Sequence, residues 1–286
     1  METSAGKRLL KSIPGLQRAM AAGWIKALRY RWALHFEDRQ GYTFTQFVRL
    51  PSQIDALTGP VIEFLGGPAR AETLRIVVIG CSLGAEPYTL SSILLDRFPH
   101  LAVCIDAYDI DPQVLAIARS GTYPIASVTK NALVDAAFVA ATFDRDGDNL
   151  VVKPCVATRV RFHLADATDP NLRAKIAPAD IVFAQNLMCN LRRASSRRVF
   201  DNAAALLKPR AALFVDGMDP DMRASRTRAL GLEPLDVDIE SIHHEAERVR
   251  GERYPGHAAG LEPFDGTRRD RDSRYATIFL RGAAAA

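Results

Sequence analysis

Four short apolar runs, separated by segments with helical spacing, constrain the fold more than any other feature of this chain. They are LRIVVIG at 74–80, AVCIDAYDI at 102–110, ADIVFAQNL at 179–187 and AALFVDGM at 211–218. Strands that are apolar throughout and alternate with helices are typical of a parallel sheet covered on both faces. The sequence therefore predicts an α/β fold with a doubly wound, mostly parallel sheet.

Two segments interrupt this alternation. The turn signal DRDGDN at 144–149, flanked by LVVK and TRVRF, predicts a small antiparallel β hairpin inserted into the α/β domain. Residues 240–272 are rich in charge, Gly and Pro without a clear period, and predict a surface loop before a last strand in RYATIFLRG at 274–282.

The N-terminal part of the chain carries apolar residues at roughly helical spacing from Leu9 to Phe36, interrupted at Pro14. This pattern predicts one or two amphipathic helices, whose basic opposite face is either solvated or a docking surface for an acidic partner. We divide the chain into an N-terminal helical segment at 1–67 and a main domain at 68–286, with a small β-subdomain at about 124–162.

Composition excludes several classes of protein. The 286 residues are 48% hydrophobic and 24% charged, which suits one large core, and the net charge of +4 gives little support to nucleic-acid binding. The four cysteines have no CxxC spacing, so neither a zinc site nor a disulfide framework is expected. No apolar run approaches the length of a membrane span. We expect a soluble cytoplasmic protein without membrane insertion; its oligomeric state is not predicted.

The first apolar run leads directly into the turn CSLGAEPYTL at 81–90, where helical spacing begins. Gly80 and Gly84 allow a ligand to approach the backbone closely, at the strand end where ligands bind in such sheets. The spacing is not G-x-G-x-x-G, so the sequence disfavours a dinucleotide and a nicotinamide dehydrogenase.

Acidic residues stand at the ends of the first two strands. Glu86 either offsets positive charge on a ligand or acts as a first-turn acid favoured by the helix dipole. Asp109 ends the second strand, where a carboxylate can accept hydrogen bonds from ribose hydroxyls. Asp111 precedes Pro112 and is predicted to cap a helix.

Two long motifs carry a family resemblance. GCSLGAEPYTL at 80–90 and DIDPQVLAIARSGTY at 109–123 together resemble the paired signature of CheR-type methyltransferases, which use S-adenosylmethionine (SAM). TQFVRLPSQIDAL, VRFHLADATD, FAQNLMCNL and LLKPRAALFVDGM resemble further segments of that family, so the likeness spans roughly 42–220 and the last strand. The resemblance implies a SAM-dependent methyltransferase fold and S-adenosylhomocysteine as product.

The resemblance also implies site residues. Arg49 and Thr45 would meet the methionine end of SAM, with the Arg49 guanidinium pairing with its carboxylate. Asp166 would lie beside the adenine, and Asn186 and Leu187 beside the transferred methyl group. The predicted cofactor-binding residues are Thr45, Arg49, Gly80, Ser82, Glu86, Asp109, Ile110, Asp166, Ala167, Asn186 and Leu187. The predicted catalytic residues are Arg49, Asn186 and Asn190.

The acceptor side departs from the family pattern. Gln185 stands where the family usually has arginine, and Asn190 stands where it has tyrosine. The sequence therefore leaves two acceptors open, a protein glutamate carboxylate and a small molecule. The alternative function is a catalytically altered regulatory or scaffold module that binds SAM or S-adenosylhomocysteine. We expect residues 240–272 to lie over the acceptor pocket. The His243 and His244 pair lies away from the strand ends, and no metal site is predicted.

Overall fold

A computed structural model describes residues 45–251 and 262–282 of the chain. The amphipathic helices predicted before residue 37 lie outside these residues, and the domain boundary at 67 stays a prediction. No helix in the described ranges is long and apolar enough to cross a membrane.

The main sheet has seven strands in the order β6-β2-β1-β7-β8-β10-β9. Neighbours from β6 to β8 are parallel, and β10 is antiparallel to both β8 and β9. The predicted doubly wound, mostly parallel sheet is confirmed. Its strands are β1 (Leu74–Ile79), β2 (Val103–Asp109), β6 (Val160–Leu164), β7 (Ala179–Gln185), β8 (Leu207–Asp216), β9 (Glu233–Pro234) and β10 (Ile278–Arg281).

Helices connect and cover these strands. A kinked helical stretch precedes β1, with a π-helical turn at Leu57–Val61 between α1 and α2. A 3₁₀ turn at Met188–Asn190 follows β7. The helices are α1 (Pro51–Ala56), α2 (Ile62–Phe64), α3 (Ala85–Arg97), α4 (Pro112–Ser120), α5 (Ile125–Thr129), α6 (Ala136–Thr142), α7 (Pro154–Ala157), α8 (Leu172–Lys175), α9 (Arg193–Ala205), α10 (Pro220–Ala229), α11 (Ile239–Gly251) and α12 (Arg271–Tyr275).

The apolar strands bury both of their faces, as the sequence pattern predicts. In β1, Ile76 and Val78 belong to one hydrophobic cluster, whereas Val77 and Ile79 belong to a second cluster on the other face of the sheet. Successive strand residues point to opposite faces, so one apolar run supplies both clusters. The residues of β7 are all buried, which fits its central position.

A second, three-stranded antiparallel sheet contains β3 (Thr122–Pro124), β4 (Phe143–Asp146) and β5 (Asn149–Val152) in the order β3-β5-β4. The predicted hairpin is present, but its partners differ in part from the prediction. Residues 158–162 do not flank it, because β6 pairs in parallel with β2 in the main sheet. The bounds given for the β-subdomain stay a prediction.

The loop predicted at 240–272 is wrong over its first part, where α11 forms. Ile239, Ile242, His243 and Ala246 are buried and recur at helical spacing, so one face of α11 packs on the core. Because His243 occupies one of these buried positions and is polar, the sequence did not show the helical period of apolar residues. Residues 252–261 lie outside the described part, and α12 follows at 271–275.

Candidate active site

A cavity of about 280 Å³ lies at the C-terminal ends of the parallel strands. Every residue that the sequence assigns to a site lines this cavity: Thr45, Arg49, Gly80, Ser82, Glu86, Asp109, Ile110, Asp166, Ala167, Asn186, Leu187 and Asn190. We call the part formed by 80–86 and 109–111 the strand-tip wall. The part formed by 186–198 is the α9 wall.

The turn after β1 brings backbone close to the α9 wall. Gly80 has a φ of +76°, a conformation that L side chains rarely adopt. A Cβ added there would lie 3.2 Å from Leu187 Cδ2, so any side chain would press on this leucine. Glycine therefore keeps the floor of the cavity open between the ends of β1 and β7.

Asp109 is held at the tip of β2 by backbone donors. Its Oδ2 accepts from the Ser82 N–H at 2.7 Å, and its Oδ1 accepts from the Asp111 N–H at 3.1 Å. Ser82 takes a left-handed φ of +49°, a costly conformation for a residue with a side chain. Asp111 caps α4 by accepting from the Gln113 N–H, so its predicted role is confirmed.

Arg49 and Glu86 form a partly buried ion pair in the cavity. Arg49 Nη2 lies 3.1 Å from Glu86 Oε1. Burial raises the pKa of the Glu86 carboxyl, the Arg49 guanidinium opposes this effect, and Asp216 adds to it. With the Asn186 amide oxygen turned toward Arg49, that oxygen accepts from Nη1 at 3.0 Å and from Nη2 at 3.2 Å.

Arg49 is also bonded to a chain of uncharged side chains. Its Nη2 donates to Gln185 Oε1 at 3.3 Å, and Gln185 Nε2 donates to Gln53 Oε1 at 2.7 Å. Gln53 Nε2 donates in turn to Thr277 Oγ1 at 2.7 Å. We call Gln185, Gln53 and Thr277 the amide chain. Sequence reasoning missed its last two members, because no local pattern marks contacts that span 132 and 224 residues.

Loop residues at the end of β6 form the edge of the cavity. Asp166 Oδ1 accepts from both the backbone N–H and the hydroxyl of Thr168, at 2.8 and 2.7 Å. The Ala167 carbonyl accepts from Asn202 Nδ2 at 2.8 Å, which fastens this loop to α9. Ile110 is 51% exposed and offers an apolar surface at the cavity mouth.

Two polar atoms of the cavity wall are buried without a hydrogen-bond partner among the described residues, Arg49 Nε and Ser82 Oγ. Most buried polar groups in folded proteins have a hydrogen-bond partner, so these two atoms are candidates for hydrogen bonds to a polar ligand. Together with the carboxylates of Glu86 and Asp109, they fit a ligand that carries hydroxyl, carboxylate and cationic groups, as SAM does.

The other predicted features lie away from the cavity. The described residues within 240–272 do not line it, so the predicted cover over the pocket is wrong for 240–251 and 262–272. His243 Nε2 contacts the Glu262 carbonyl oxygen at 2.8 Å, and burial lowers the pKa of its imidazole. Within the described ranges, no group of three potential ligands could hold a metal ion.

Comparison with known proteins identifies the family. A family model described as "CheR methyltransferase, SAM binding domain" matches residues 43–229. The chain belongs to the CheR methyltransferase family. The predicted family and its SAM-binding domain are thereby confirmed.

Curated relatives of this CheR-family chain carry related names. It is 27% identical over 282 residues to a "Probable biofilm formation methyltransferase WspC" of Pseudomonas aeruginosa, covering 90% of this chain and 65% of that protein. It is 26% identical to "Chemotaxis protein methyltransferase 2" of Vibrio cholerae, covering 77% of this chain and 78% of that protein. The chain thus spans less than two thirds of the length of the WspC relative.

Among solved structures, an O-methyltransferase family protein from Burkholderia thailandensis is similar at 16% identity with a TM-score of 0.39. The match covers 77% of this chain and 65% of that chain.

Proposed function

We propose that this protein is a SAM-dependent methyltransferase that transfers a methyl group to a carboxylate of a protein acceptor. The observation that carries the proposal is that Arg49, Glu86 and Asp109 line one cavity at the strand ends. These three side chains come from separate elements, yet together they match the charges of SAM.

The residue roles follow from the contacts. Asp109 already accepts from two backbone N–H groups, and its remaining lone pairs would accept from the ribose hydroxyls. Ser82 Oγ, which has no partner among the described residues, would add a hydrogen bond. Arg49 would pair with the cofactor carboxylate through its fork of donors, and Glu86 would offset the cofactor's positive charges.

At the reacting end, the chain needs to position groups rather than move protons. When bound, SAM would supply a methyl group activated by its sulfonium, and its transfer to an acceptor carboxylate oxygen would give a methyl ester and S-adenosylhomocysteine. An acceptor carboxylate is ionised at neutral pH, so no proton would have to be removed from it. Asn190 Nδ2 donates to the Asn186 carbonyl oxygen at 3.0 Å, and this contact fixes the loop that would face the acceptor. Leu187 would shield the reacting atoms from water.

The protein acceptor is supported by the relatives named as chemotaxis protein methyltransferases. A small-molecule acceptor is the second candidate. Gln185 and Asn190 stand where the family usually has arginine and tyrosine, so the acceptor side lacks the charge of the first and the hydroxyl of the second. A regulatory module that binds SAM without turnover is the third, supported by the engagement of Gln185 in the amide chain instead of an acceptor.

A labelled-methyl assay separates these functions. We expect transfer from labelled SAM to chemotaxis receptor fragments, as base-labile methyl ester. Label in a metabolite extract instead would support the small-molecule acceptor. Label in neither, with SAM binding intact by calorimetry, would support the binding module, and absence of SAM binding would contradict all three.

We also propose a cytoplasmic location and no nucleic-acid partner. Cys81, Cys104, Cys155 and Cys189 are all free thiols, as expected in a reducing compartment. Fractionation of cells that express the full chain tests the location.

A further inference from the structure

Val48, the residue before Arg49, has a backbone conformation that β-branched residues rarely adopt. Its φ is +49°, in the left-handed region. A branched side chain crowds the neighbouring backbone there, so this conformation persists only where surrounding contacts hold it. The contacts that hold Val48 therefore also determine how the next residue, Arg49, enters the cavity.

Two side chains hold the backbone of Val48 from different parts of the fold. Asn131, between α5 and α6, donates from Nδ2 to the Phe47 carbonyl oxygen at 2.7 Å and to the Val48 carbonyl oxygen at 3.0 Å. Thr89 Oγ1 on α3 accepts from the Val48 N–H at 3.3 Å. Both polar groups of the Val48 backbone are thus bonded to side chains that are distant in sequence.

Phe47 anchors the same segment in the small antiparallel sheet. Its buried ring packs edge-on against Tyr123 of β3 and Phe143 of β4, with the ring centroids 5.2 Å apart in each pair. The Tyr123 hydroxyl also donates to the Leu83 carbonyl oxygen at 2.6 Å, in the turn of the strand-tip wall. The small sheet therefore contacts both this segment and the strand-tip wall.

We propose that Asn131 is a positioning residue for cofactor binding. By bonding two consecutive carbonyl oxygens it holds Val48 in the left-handed conformation, and so directs the Arg49 guanidinium toward Glu86 and the cofactor carboxylate. Asn131 does not itself line the cavity, so it acts through the backbone of residues 47 and 48. This inference rests on the proposed methyltransferase function and deepens it, because it gives the small sheet a part in binding the methionine end of SAM.

Loss of the Asn131 donor should affect only one end of the cofactor. Without it, Val48 would relax toward the negative φ that β-branched residues favour, and Arg49 would leave its place beside Glu86. The ribose end depends on Asp109, which is held by N–H groups of other turns. The effect should therefore be confined to recognition of the cofactor carboxylate.

The test compares two ligands by calorimetric titration of the full chain. S-adenosylhomocysteine carries the carboxylate, and its decarboxylated analogue differs only in lacking that group. Asn131→Asp removes the Nδ2 donor but keeps an Oδ1 acceptor for the Leu133 N–H, which lies at 3.1 Å. It should weaken binding of S-adenosylhomocysteine about ten-fold and binding of the analogue less than about two-fold.

Asn149→Asp is the matched control. It makes the same charge change in β5 of the small sheet, away from the hydrogen bonds that hold residues 47 and 48. It should leave both affinities unchanged within about two-fold.

Val48→Gly tests the strained backbone directly. Glycine adopts a positive φ without the steric cost, so the Asn131 donor should matter less in that background. Asn131→Asp combined with Val48→Gly should bind S-adenosylhomocysteine less than about three-fold more weakly than Val48→Gly alone. Equal losses in the two backgrounds would show that Asn131 does not act through Val48.

Two further results would overturn the proposal. Equal losses for the two ligands in Asn131→Asp would give Asn131 a general structural role, and an unchanged affinity for S-adenosylhomocysteine would give it none. In both cases the wild type would still bind S-adenosylhomocysteine, so the proposed function would stand. If the wild type bound no S-adenosylhomocysteine, the proposed function and this inference would fail together.

Discussion

The strand-tip wall of the cavity and the amide chain opposite it reach their geometry by different routes. At the strand tips, Asp109 is fixed by N–H groups of Ser82 and Asp111, which belong to the adjoining turns of β1 and β2. On the opposite side, Gln185 depends on Arg49, Gln53 and, through Gln53, on Thr277, which are all distant in sequence. The strand-tip wall is set by local turns, whereas the side around the amide chain is set by tertiary packing.

The difference indicates where substitutions change function. The strand-tip wall is built from backbone groups that any chain with these turns would present, so its chemistry is carried by a few carboxylates. The side proposed to meet the acceptor is built from side chains, so exchanging one residue alters its charge without disturbing the sheet. Gln185 and Asn190, which differ from the family pattern, lie on this second side.

Asp109→Ala should have the largest effect, because it removes the proposed acceptor for the ribose hydroxyls and leaves the Ser82 and Asp111 N–H groups unpaired. Two charge-assisted hydrogen bonds correspond to a loss of SAM affinity of about 100-fold. Calorimetric titration measures this loss. Asp135→Ala is the control, since Asp135 caps α6 outside the cavity. Similar losses of SAM affinity in both variants would mean that the loss in Asp109→Ala does not come from the strand-tip wall.

The amide chain should produce the next largest effect. Gln53→Leu leaves the Gln185 amide and the Thr277 hydroxyl without their buried partner, which should lower the free energy of unfolding by about 2 kcal/mol. Urea denaturation of Gln53→Leu, Thr277→Val and the double variant measures their coupling. We expect the double variant to fall short of the sum by at least about 0.5 kcal/mol; strict additivity would contradict a connected chain.

Glu86 should make SAM binding at the strand-tip wall depend on pH. Burial raises the pKa of its carboxyl, so this group takes up a proton at a higher pH than an ordinary glutamate. SAM affinity should therefore fall as the pH is lowered through that raised pKa, because the neutral form no longer offsets the cofactor's charges. Glu86→Gln should bind SAM about ten-fold more weakly at neutral pH and should lack this acidic decline. If the SAM affinity of Glu86→Gln fell with pH in the same way, the titrating group would be one other than Glu86.

The sequence predicted the strand-tip wall because its determinants are local. An apolar run places Asp109 at a strand end, and the adjoining glycine turn places Glu86 in the first turn of a helix. Arg49 was reached only through the family motif. Gln53, which accepts a hydrogen bond from Arg49's partner Gln185, was not predicted at all, because a contact between residues so distant in sequence leaves no period. Helix α11 was missed because His243 is polar yet buried, with its ring among Phe264 and Tyr275.

The smallest effect should come from the contact that anchors α1, the helix next to Arg49. Glu245 on α11 accepts from Ser52 twice, from the backbone N–H at 3.1 Å and from the hydroxyl at 2.8 Å, and so satisfies the first turn of α1 from another helix. Glu245→Ala should lower the free energy of unfolding by about 1 kcal/mol, as loss of a helix cap does.

Because Ser52 lies three positions after Arg49 in the chain, Glu245→Ala should also loosen the guanidinium and weaken SAM binding by about two-fold, a change of about 0.4 kcal/mol. Glu240→Ala on the same helix is the control, since Glu240 is exposed and its carboxylate lies 3.6 Å from His244 of α11. Urea denaturation and calorimetry compare the two variants. If Glu245→Ala and Glu240→Ala had the same free energy of unfolding, α11 would not support Arg49. The tertiary contacts that shape this side of the cavity would then be those of the amide chain and of Asn131.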